Sequence, residues 1–228
     1  MKMKIVLVIP WKATPSREKP LKAVLDWYKT NLPDIEVIFA NASEDMWLPS
    51  ASRNIGVKRA QEAHADVVIM NDADTIPEIL SLLEAINAAN NDELIHLPYM
   101  DARYLDEESS EQYYNNDKAL QDCKHTSFPY PQSDGGLWVF KPQSWWDIGG
   151  MDEHFKQWGY EDRALHFAHV IIKKDNFVRH SGTIYSFNHQ PQIHDNNFNK
   201  SSEENRDHFM RYYQADTPEK MLKLVRGY

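Results

Sequence analysis

Two short segments carry the residue types from which chemistry can be built: Asp72, Ala73, Asp74 at the end of an apolar run, and later Trp158, Gly159, Tyr160, Glu161, Asp162. The run Val67, Val68, Ile69, Met70 is continuous and apolar, as expected of a central strand covered on both faces. The C-terminal end of such a strand is where an open α/β sheet presents ligand-binding groups. Two carboxylates one residue apart at that edge can both turn toward a hard divalent cation, which takes oxygen ligands and can bridge a pyrophosphate. Asp-x-Asp alone is a weak motif, because a solvated loop or a helix cap supplies the same letters. The strand before it strengthens the reading, as does Pro77 after it, placed to open a helix through Leu83 and Ile86.

Glu161 and Asp162 fall at the start of a predicted helix, where free N–H groups and the macrodipole favour negative charge, so N-terminal capping accounts for them if they are taken alone. Their neighbours add more. Trp158 offers a flat face for a sugar or base and Gly159 lets the backbone turn tightly. One carboxylate can then orient a hydroxyl while the other takes its proton. Gly135 and Gly136 permit close approach of backbone to a phosphate or sugar, although a plain turn explains them almost as well. A third metal ligand is sought among the histidines, since imidazole suits manganese as well as softer ions. His189, just after a predicted strand over 183–187, is the first choice and His194 the second, although for any one of ten histidines an ordinary hydrogen-bonded role starts ahead. His166 and His169 share a helix face, but without a His-Glu-x-x-His pattern they read as packing or surface.

The elements that must position these groups follow from periodicity. Strands are predicted over 5–9, 35–40 and 67–70, separated by helices over 17–31 and 52–63. That order implies a parallel sheet with right-handed crossovers. A further strand is expected near 94–97, another over 137–140, then a short helix from Pro142 and a helix over 161–172. Residues 177–179 and 183–187 read as a hairpin about Ser181 and Gly182, and 201–228 as a charged helical tail. The stretch 101–122 is polar and acidic with interspersed tyrosines, and reads as a mobile excursion over the site or a solvated loop with a short helix. The loop after the first strand, Trp11 to Pro15, has no glycine, which disfavours Rossmann and P-loop phosphate binding.

With 228 residues and 42% hydrophobic composition, the chain can bury one substantial core and is expected to be a single domain, 1–228, with a nucleotide-binding half over 1–98, an acceptor and catalytic half over 99–195 and a tail over 196–228. A net charge of −9 argues against a sequence-independent grip on nucleic acid. The single cysteine, Cys123, forms no internal disulfide and suits a reducing, cytoplasmic compartment. The opening apolar stretch is too short for a signal peptide, and no segment has the length to span a bilayer.

In order and spacing, Gly135, Gly136 through Lys141, then Ile148, Gly149, Gly150, Met151, Asp152, Glu153, Phe155, then Trp158 to Asp162, resemble the GT-A glycosyltransferases, especially inverting beta-galactosyltransferases and chondroitin-polymerase-like enzymes. The resemblance runs from about Ile5 to His194. It implies an α/β fold with a Rossmann-like, mixed, mainly parallel central sheet flanked by helices. It also implies that Pro10, Trp11, Lys12 and Arg17 contact uridine diphosphate, that Arg53 and Asn54 lie beneath the nucleotide, and that Gly135 and Gly136 approach the donor. Asp72, Asp74 and His189 match the metal site, with Asp74 the direct ligand and Asp72 nearer the ribose. Asp162 matches the catalytic base and Glu161 the acceptor-binding acid, beside Trp158 and Tyr160. Tyr160 departs from the family, which commonly has a second glycine there, and Lys12 replaces the usual arginine, keeping charge but losing the bidentate fork.

The resemblance thus implies a Mn²⁺- or Mg²⁺-dependent enzyme using a UDP-sugar donor and an unidentified hydroxyl acceptor: a glycan, a lipid-linked saccharide, a protein or modified nucleic acid. Two rivals stand beside it. A metal-dependent nucleotidyltransferase would want a Gly-rich basic loop after the first strand, and a non-catalytic sugar-binding module would use Trp158 and Tyr160 as a stacking platform.

Overall fold

The computed structural model describes residues 3–189 and 197–227. In chain order its elements are β1 (Ile5–Pro10), α1 (Glu18–Asn31), β2 (Glu36–Ala40), α2 (Pro49–Glu62), β3 (Val67–Asn71), β4 (Thr75–Pro77), α3 (Ile79–Asn91), β5 (His96–Leu97), β6 (Asp101–Leu105), α4 (Glu107–Tyr114), β7 (His125–Pro129), β8 (Leu137–Phe140), α5 (Pro142–Asp147), α6 (Glu161–Lys173), β9 (Val178–Arg179), β10 (Thr183–Ser186), α7 (Asn197–Phe209) and α8 (Pro218–Val225).

Among the described residues, ten strands form two sheets. The larger has the order β2-β1-β3-β8-β5-β9 and the smaller β4-β10-β6-β7. In the larger sheet β1 runs parallel to β2 and β3, β8 is antiparallel to β3 and β5, and β5 is parallel to β9. The parallel pairs of β1 with β2 and β3 need crossovers, which α1 and α2 supply. Because side chains alternate across a strand, Val6, Val8, Val68, Met70, Trp138 and Phe140 face one core with Val57 and Ala60 of α2. Leu7, Ile9, Val67, Ile69, Leu137 and Val139 face the other, with Val24 and Tyr28 of α1 and Leu82 and Ala85 of α3. A Cβ on Gly56 would collide with the Val8 side chain, so this glycine lets α2 lie close on β1.

The structure differs from the sequence expectations at several elements. The 177–187 hairpin does not form: β9 pairs with β5 in the larger sheet, whereas β10 pairs with β4 and β6 in the smaller. Pro77 closes β4 rather than opening a helix, and α3 begins at Ile79. Helix α2 starts at Pro49, three residues before the expected Ser52, and the face it buries includes the polar Ser50, Ser52, Arg53 and Asn54. The 101–122 stretch is not an unpaired excursion, because β6 lies between β10 and β7 and Asp106 caps α4 by accepting from Ser109 N. Strand β8 sits inside the larger sheet between β3 and β5, so residues on either side of the 98/99 division share one sheet. A third core joins Ala164 and Ala168 of α6 to Phe209, Met221 and Val225 of the C-terminal helices.

Candidate active site

Helix α2 delivers Arg53 to the C-terminal edge of β3, where the guanidinium gathers three carboxylates. Its Nη2 donates to Asp72 Oδ1 at 3.0 Å and its Nη1 to Asp162 Oδ1 at 3.2 Å, with Glu161 Oε1 at 3.7 Å. The guanidinium lies 5.0 Å over the Trp138 ring and its side chain is 5% exposed. Such a charge persists in an interior only when paired and hydrogen-bonded. Asp72 and Asp162, far apart in sequence, thus meet on one group. Burial raises the Glu161 carboxyl above its usual value despite the Arg53 charge. Burial and the neighbouring Glu161 charge raise Asp162 well above its ordinary value, against the opposing pull of Arg53. About a third of the Asp162 side chain, 31%, stays exposed and so open to a substrate.

Asp74 is held differently. Its Oδ2 lies 2.7 Å from His189 Nε2 and 3.4 Å from Arg17 Nη2. Burial opposes its ionisation, but the His189 hydrogen bond and the charges of Arg17 and His189 outweigh it and hold the carboxyl at about 2. The end of β10 is tied here by Phe187 N donating to Asp74 O at 2.8 Å, which is what brings His189 into reach. Asp74 and His189 therefore converge, while the Asp72 carboxylate is turned to Arg53. Among the described residues the compact triple of ligand-type side chains is Asp152, His154 and His208. There, Asp152 is occupied as an acceptor from His208 at 2.6 Å, Tyr212 at 2.9 Å and His154 Nδ1 at 2.8 Å. His194 lies outside the described residues.

Pro10 is buried at the end of β1 and Trp11 N donates to Ala40 O at 2.9 Å, so the loop carrying Lys12 and Arg17 leaves the sheet beside Asp74. In that loop the buried Thr14 Oγ1 and Arg17 Nε have no hydrogen-bond partner among the described residues, a state that leaves donors for an added group. Asn54 points elsewhere. Its Oδ1 accepts from Trp145 Nε1 and Met151 N, both at 2.9 Å, and its Nδ2 donates to Met151 O and Glu153 Oε1. Its hydrogen-bonding capacity is filled by protein, and it fixes the 149–153 turn.

Trp158, in the loop before α6, is 66% exposed. Tyr160 adopts φ +71°, the left-handed region that favours glycine, and its ring packs 5.4 Å from Phe209. Its side chain thus serves the C-terminal packing. Glu161 is buried, and its Oε2 accepts from Gly159 N at 2.9 Å, bracing the loop from within. A Cβ on Gly135 would collide with the Asp162 carboxylate, so the backbone of residue 135 lies directly against that group. Gly136 O accepts from Asp72 N at 2.9 Å and links that segment to the end of β3.

Three residues with roles here carry no sequence signal. Asn205 of α7 is buried and clamps the loop: Nδ2 donates to Lys156 O at 2.8 Å and Gly159 O at 3.1 Å, and Oδ1 accepts from Lys156 N at 3.2 Å. Tyr99 donates to Gly135 O at 2.6 Å. Burial, and to a lesser extent the charges of Asp74, Asp72 and Asp162, push the half-exposed Tyr104 phenol up to about 12.

Residues 118–192 match the family described as the N-terminal domain of galactosyltransferase, a stretch containing Gly135, Gly136, Glu161, Asp162 and His189. No curated protein sequence matches the chain. Among solved structures, an aspartate-to-asparagine mutant of Drosophila beta-1,4-galactosyltransferase 7, in complex with manganese, UDP-Gal and xylobiose, superposes with a TM-score of 0.50 at 14% identity, over 84% of this chain and 66% of that one. GalNAc-T7, in complex with UDP, GalNAc and Mn²⁺, superposes with a TM-score of 0.51 at 14% identity, over 99% of this chain and 54% of the other. The chain thus spans a little under two thirds of the first protein's length and about half of the second's. Its fold is that of the GT-A glycosyltransferases, as the resemblance implies. Within that fold, it is the segment 118–192 that is similar in sequence to galactosyltransferases.

Proposed function

We propose that the chain is a metal-dependent glycosyltransferase that moves a sugar from a UDP-sugar to an acceptor hydroxyl with inversion at the anomeric carbon. The observation that supports this reading is the Arg53 guanidinium shared by Asp72 at the end of β3 and Asp162 at the start of α6, which brings a raised-pKa carboxylate beside the sheet edge where a nucleotide would lie. The complexes of both structural neighbours with manganese and uridine nucleotides support Mn²⁺, or Mg²⁺, and a UDP-sugar donor.

Asp74 and His189 would hold the cation, with Asp72 beside it; a carboxylate–imidazole pair completed by diphosphate oxygens suits a hard to borderline ion. A divalent ion held there would supply positive charge to offset that of the departing diphosphate. The remaining work falls to the chain's own groups. Arg17 and Thr14 offer unpartnered donors on the nucleotide side. Asp162 takes the proton of the attacking hydroxyl as the new C–O bond forms and the bond to UDP breaks. Its raised pKa makes it a stronger proton acceptor than an ordinary carboxylate. Trp158 presents the acceptor with an exposed indole face.

UDP release with a panel of sugar nucleotides, with and without Mn²⁺, tests the activity, and proton NMR of the product's anomeric centre tests inversion; no release with any donor overturns the reading. Asp74→Asn is expected to abolish Mn²⁺-dependent UDP binding in calorimetry while leaving the thermal transition in place. Gly135→Ala pushes on the Asp162 carboxylate and is expected to lower kcat/KM by about 100-fold, the cost of a misplacement on the order of 1 Å. Wild-type rates in that variant would show that residue 135 does not shape the base's site.

No helix among the described residues is long and apolar enough to cross a membrane. A cytoplasmic setting accords with the single unpaired, buried Cys123. The acceptor classes are those consistent with a free hydroxyl: glycan, lipid-linked saccharide, protein or modified nucleic acid.

A further inference from the structure

Away from the Arg53 cluster, the turn after Gly150 and helix α7 bring together Asp152, His154 and His208, three side chains that the proposed transfer leaves unused. One ligand-type atom from each lies within 4.8 Å of the others. The two imidazoles address separate oxygens of one fully buried carboxylate: His154 Nδ1 is 2.8 Å from Asp152 Oδ1, and His208 Nε2 is 2.6 Å from Oδ2. The rings lie 5.0 Å apart with a tilt of 30°, so their nitrogens reach the carboxylate side by side from two elements distant in sequence.

These groups are held from behind by partners that point them inward. Tyr212 donates its hydroxyl to Asp152 Oδ2 at 2.9 Å, and His154 N donates to Oδ1 at 2.9 Å. Burial and the Asp152 charge push the Tyr212 phenol upward, so it remains a donor. The His208 ring is fixed by the Phe155 ring at 5.0 Å and the Tyr212 ring at 6.1 Å. Outer contacts of this kind orient carboxylate and imidazole ligands around an ion. The way in lies on the His154 side. Its side chain is 57% exposed and borders a cavity of about 480 Å³ with Trp146, Gly149, Glu153, Val225 and Arg226.

We infer that Asp152, His154 and His208 form a second metal site, separate from the Asp74–His189 pair, which takes a borderline divalent ion of the Zn²⁺ type. Two imidazoles and one carboxylate are a zinc donor set, whereas Ca²⁺ and Mg²⁺ want six or more oxygens. The ion enters from the cavity as the exposed His154 ring swings outward and back. A neutral imidazole carries its N–H on either ring nitrogen, so His154 Nδ1 and His208 Nε2 turn lone pairs to the ion while the N–H sits on the far nitrogen. Arg211 Nη1, 3.4 Å from His208 Nδ1, belongs to an exposed side chain and turns to solvent when that nitrogen is protonated. Tetrahedral zinc separates its ligand atoms by about 3.3 Å, so each ring moves outward by roughly half an ångström, and water completes the set. Without the ion, hydrogen bonds hold the same three side chains, and the chain folds. With it, α7 is fastened to the turn at 151–154, which steadies the helix whose Asn205 braces the 156–159 loop. The site stands whether or not the chain transfers sugar.

The test uses the full chain carrying Asp74→Asn, which disables the other cation site, titrated with Zn²⁺ by calorimetry and with Co²⁺ followed by visible absorption. A single Zn²⁺ per chain is expected to bind at micromolar affinity or tighter, and Co²⁺ to show the intense visible bands of tetrahedral coordination. A hundredfold excess of Zn²⁺ over its Kd should raise the Tm by on the order of 5 °C. His154→Gln and His208→Gln, each added to that chain, keep an amide donor for Asp152 but supply no ligand nitrogen. Each is expected to weaken Zn²⁺ by more than about 100-fold, beyond what loss of an outer partner costs, while the metal-free thermal transition persists and shows the variant to be folded. Zn²⁺ binding no tighter than millimolar before these changes, or undiminished binding in both glutamine variants, overturns the site and leaves three hydrogen-bonded side chains.

Discussion

Asp162→Asn is expected to lower kcat by about 10²- to 10⁴-fold, the contribution of a positioned general base, with Mn²⁺-dependent UDP binding unchanged. The substitution keeps the size of the side chain and its acceptor toward Arg53 but removes the group that takes the proton. The wild-type pH profile supplies an independent sign. Burial and the Glu161 charge raise the Asp162 carboxyl, and only its ionised form is a base. So kcat/KM should fall as pH drops through a point above the ordinary aspartate value of about 4. In Asp162→Asn that acid limb should vanish along with most of the rate. An unchanged rate would remove Asp162 from the chemistry and leave its raised pKa as a by-product of burial.

Arg53→Met should be the most damaging single change to stability. It keeps an apolar chain over Trp138 but strips Asp72, Glu161 and Asp162 of their shared counter-charge. Removing one partner of a buried ionic network costs about 3–5 kcal/mol. For a domain of this size that is a fall in Tm on the order of 10 °C. The pH dependence has a definite direction. Without Arg53, Glu161 and Asp162 in the folded state rise still further above their unfolded values. A carboxylate whose folded pKa is raised contributes stability at low pH that is lost as pH rises through the folded value. The deficit relative to wild type, measured by thermal unfolding, should therefore be larger at pH 8 than at pH 5. An equal deficit at both would reduce Arg53 to a packing role.

These two residues also show where local sequence stops being informative. Strands β1, β3 and β8 are legible because Val6–Ile9, Val67–Met70 and Leu137–Phe140 are continuous apolar segments, and such runs have few places to go except the middle of a sheet. Helix α2 is harder to place because the face it buries sets Ser50, Ser52, Arg53 and Asn54 beside Val57 and Ala60, which blurs the amphipathic pattern. Its polarity is explained only by partners on other elements: three carboxylates for Arg53, and the 149–153 turn for Asn54. The hairpin expected about Gly182 failed for a related reason. Val178–Arg179 and Thr183–Ser186 each look like strands and are, but nothing in their own letters says that one joins β5 and the other β4 and β6. At the proposed site, Asp72, Asp74, Asp162 and His189 stand out in the sequence as motif residues. The division of labour among them, Asp72 to Arg53 and Asp74 to His189, is a matter of distances that no spacing encodes.

Asn205 has a practical corollary. The amide that braces residues 156–159 arrives from the last quarter of the polypeptide, after both sheets are complete. Shortening the protein just after His189 for crystallisation or display would retain every strand and the Asp74–His189 pair yet release the loop that aims Trp158. Such a trimmed version should still bind nucleotide while losing its hold on whatever receives the sugar. Any fusion partner is therefore better attached without disturbing α7.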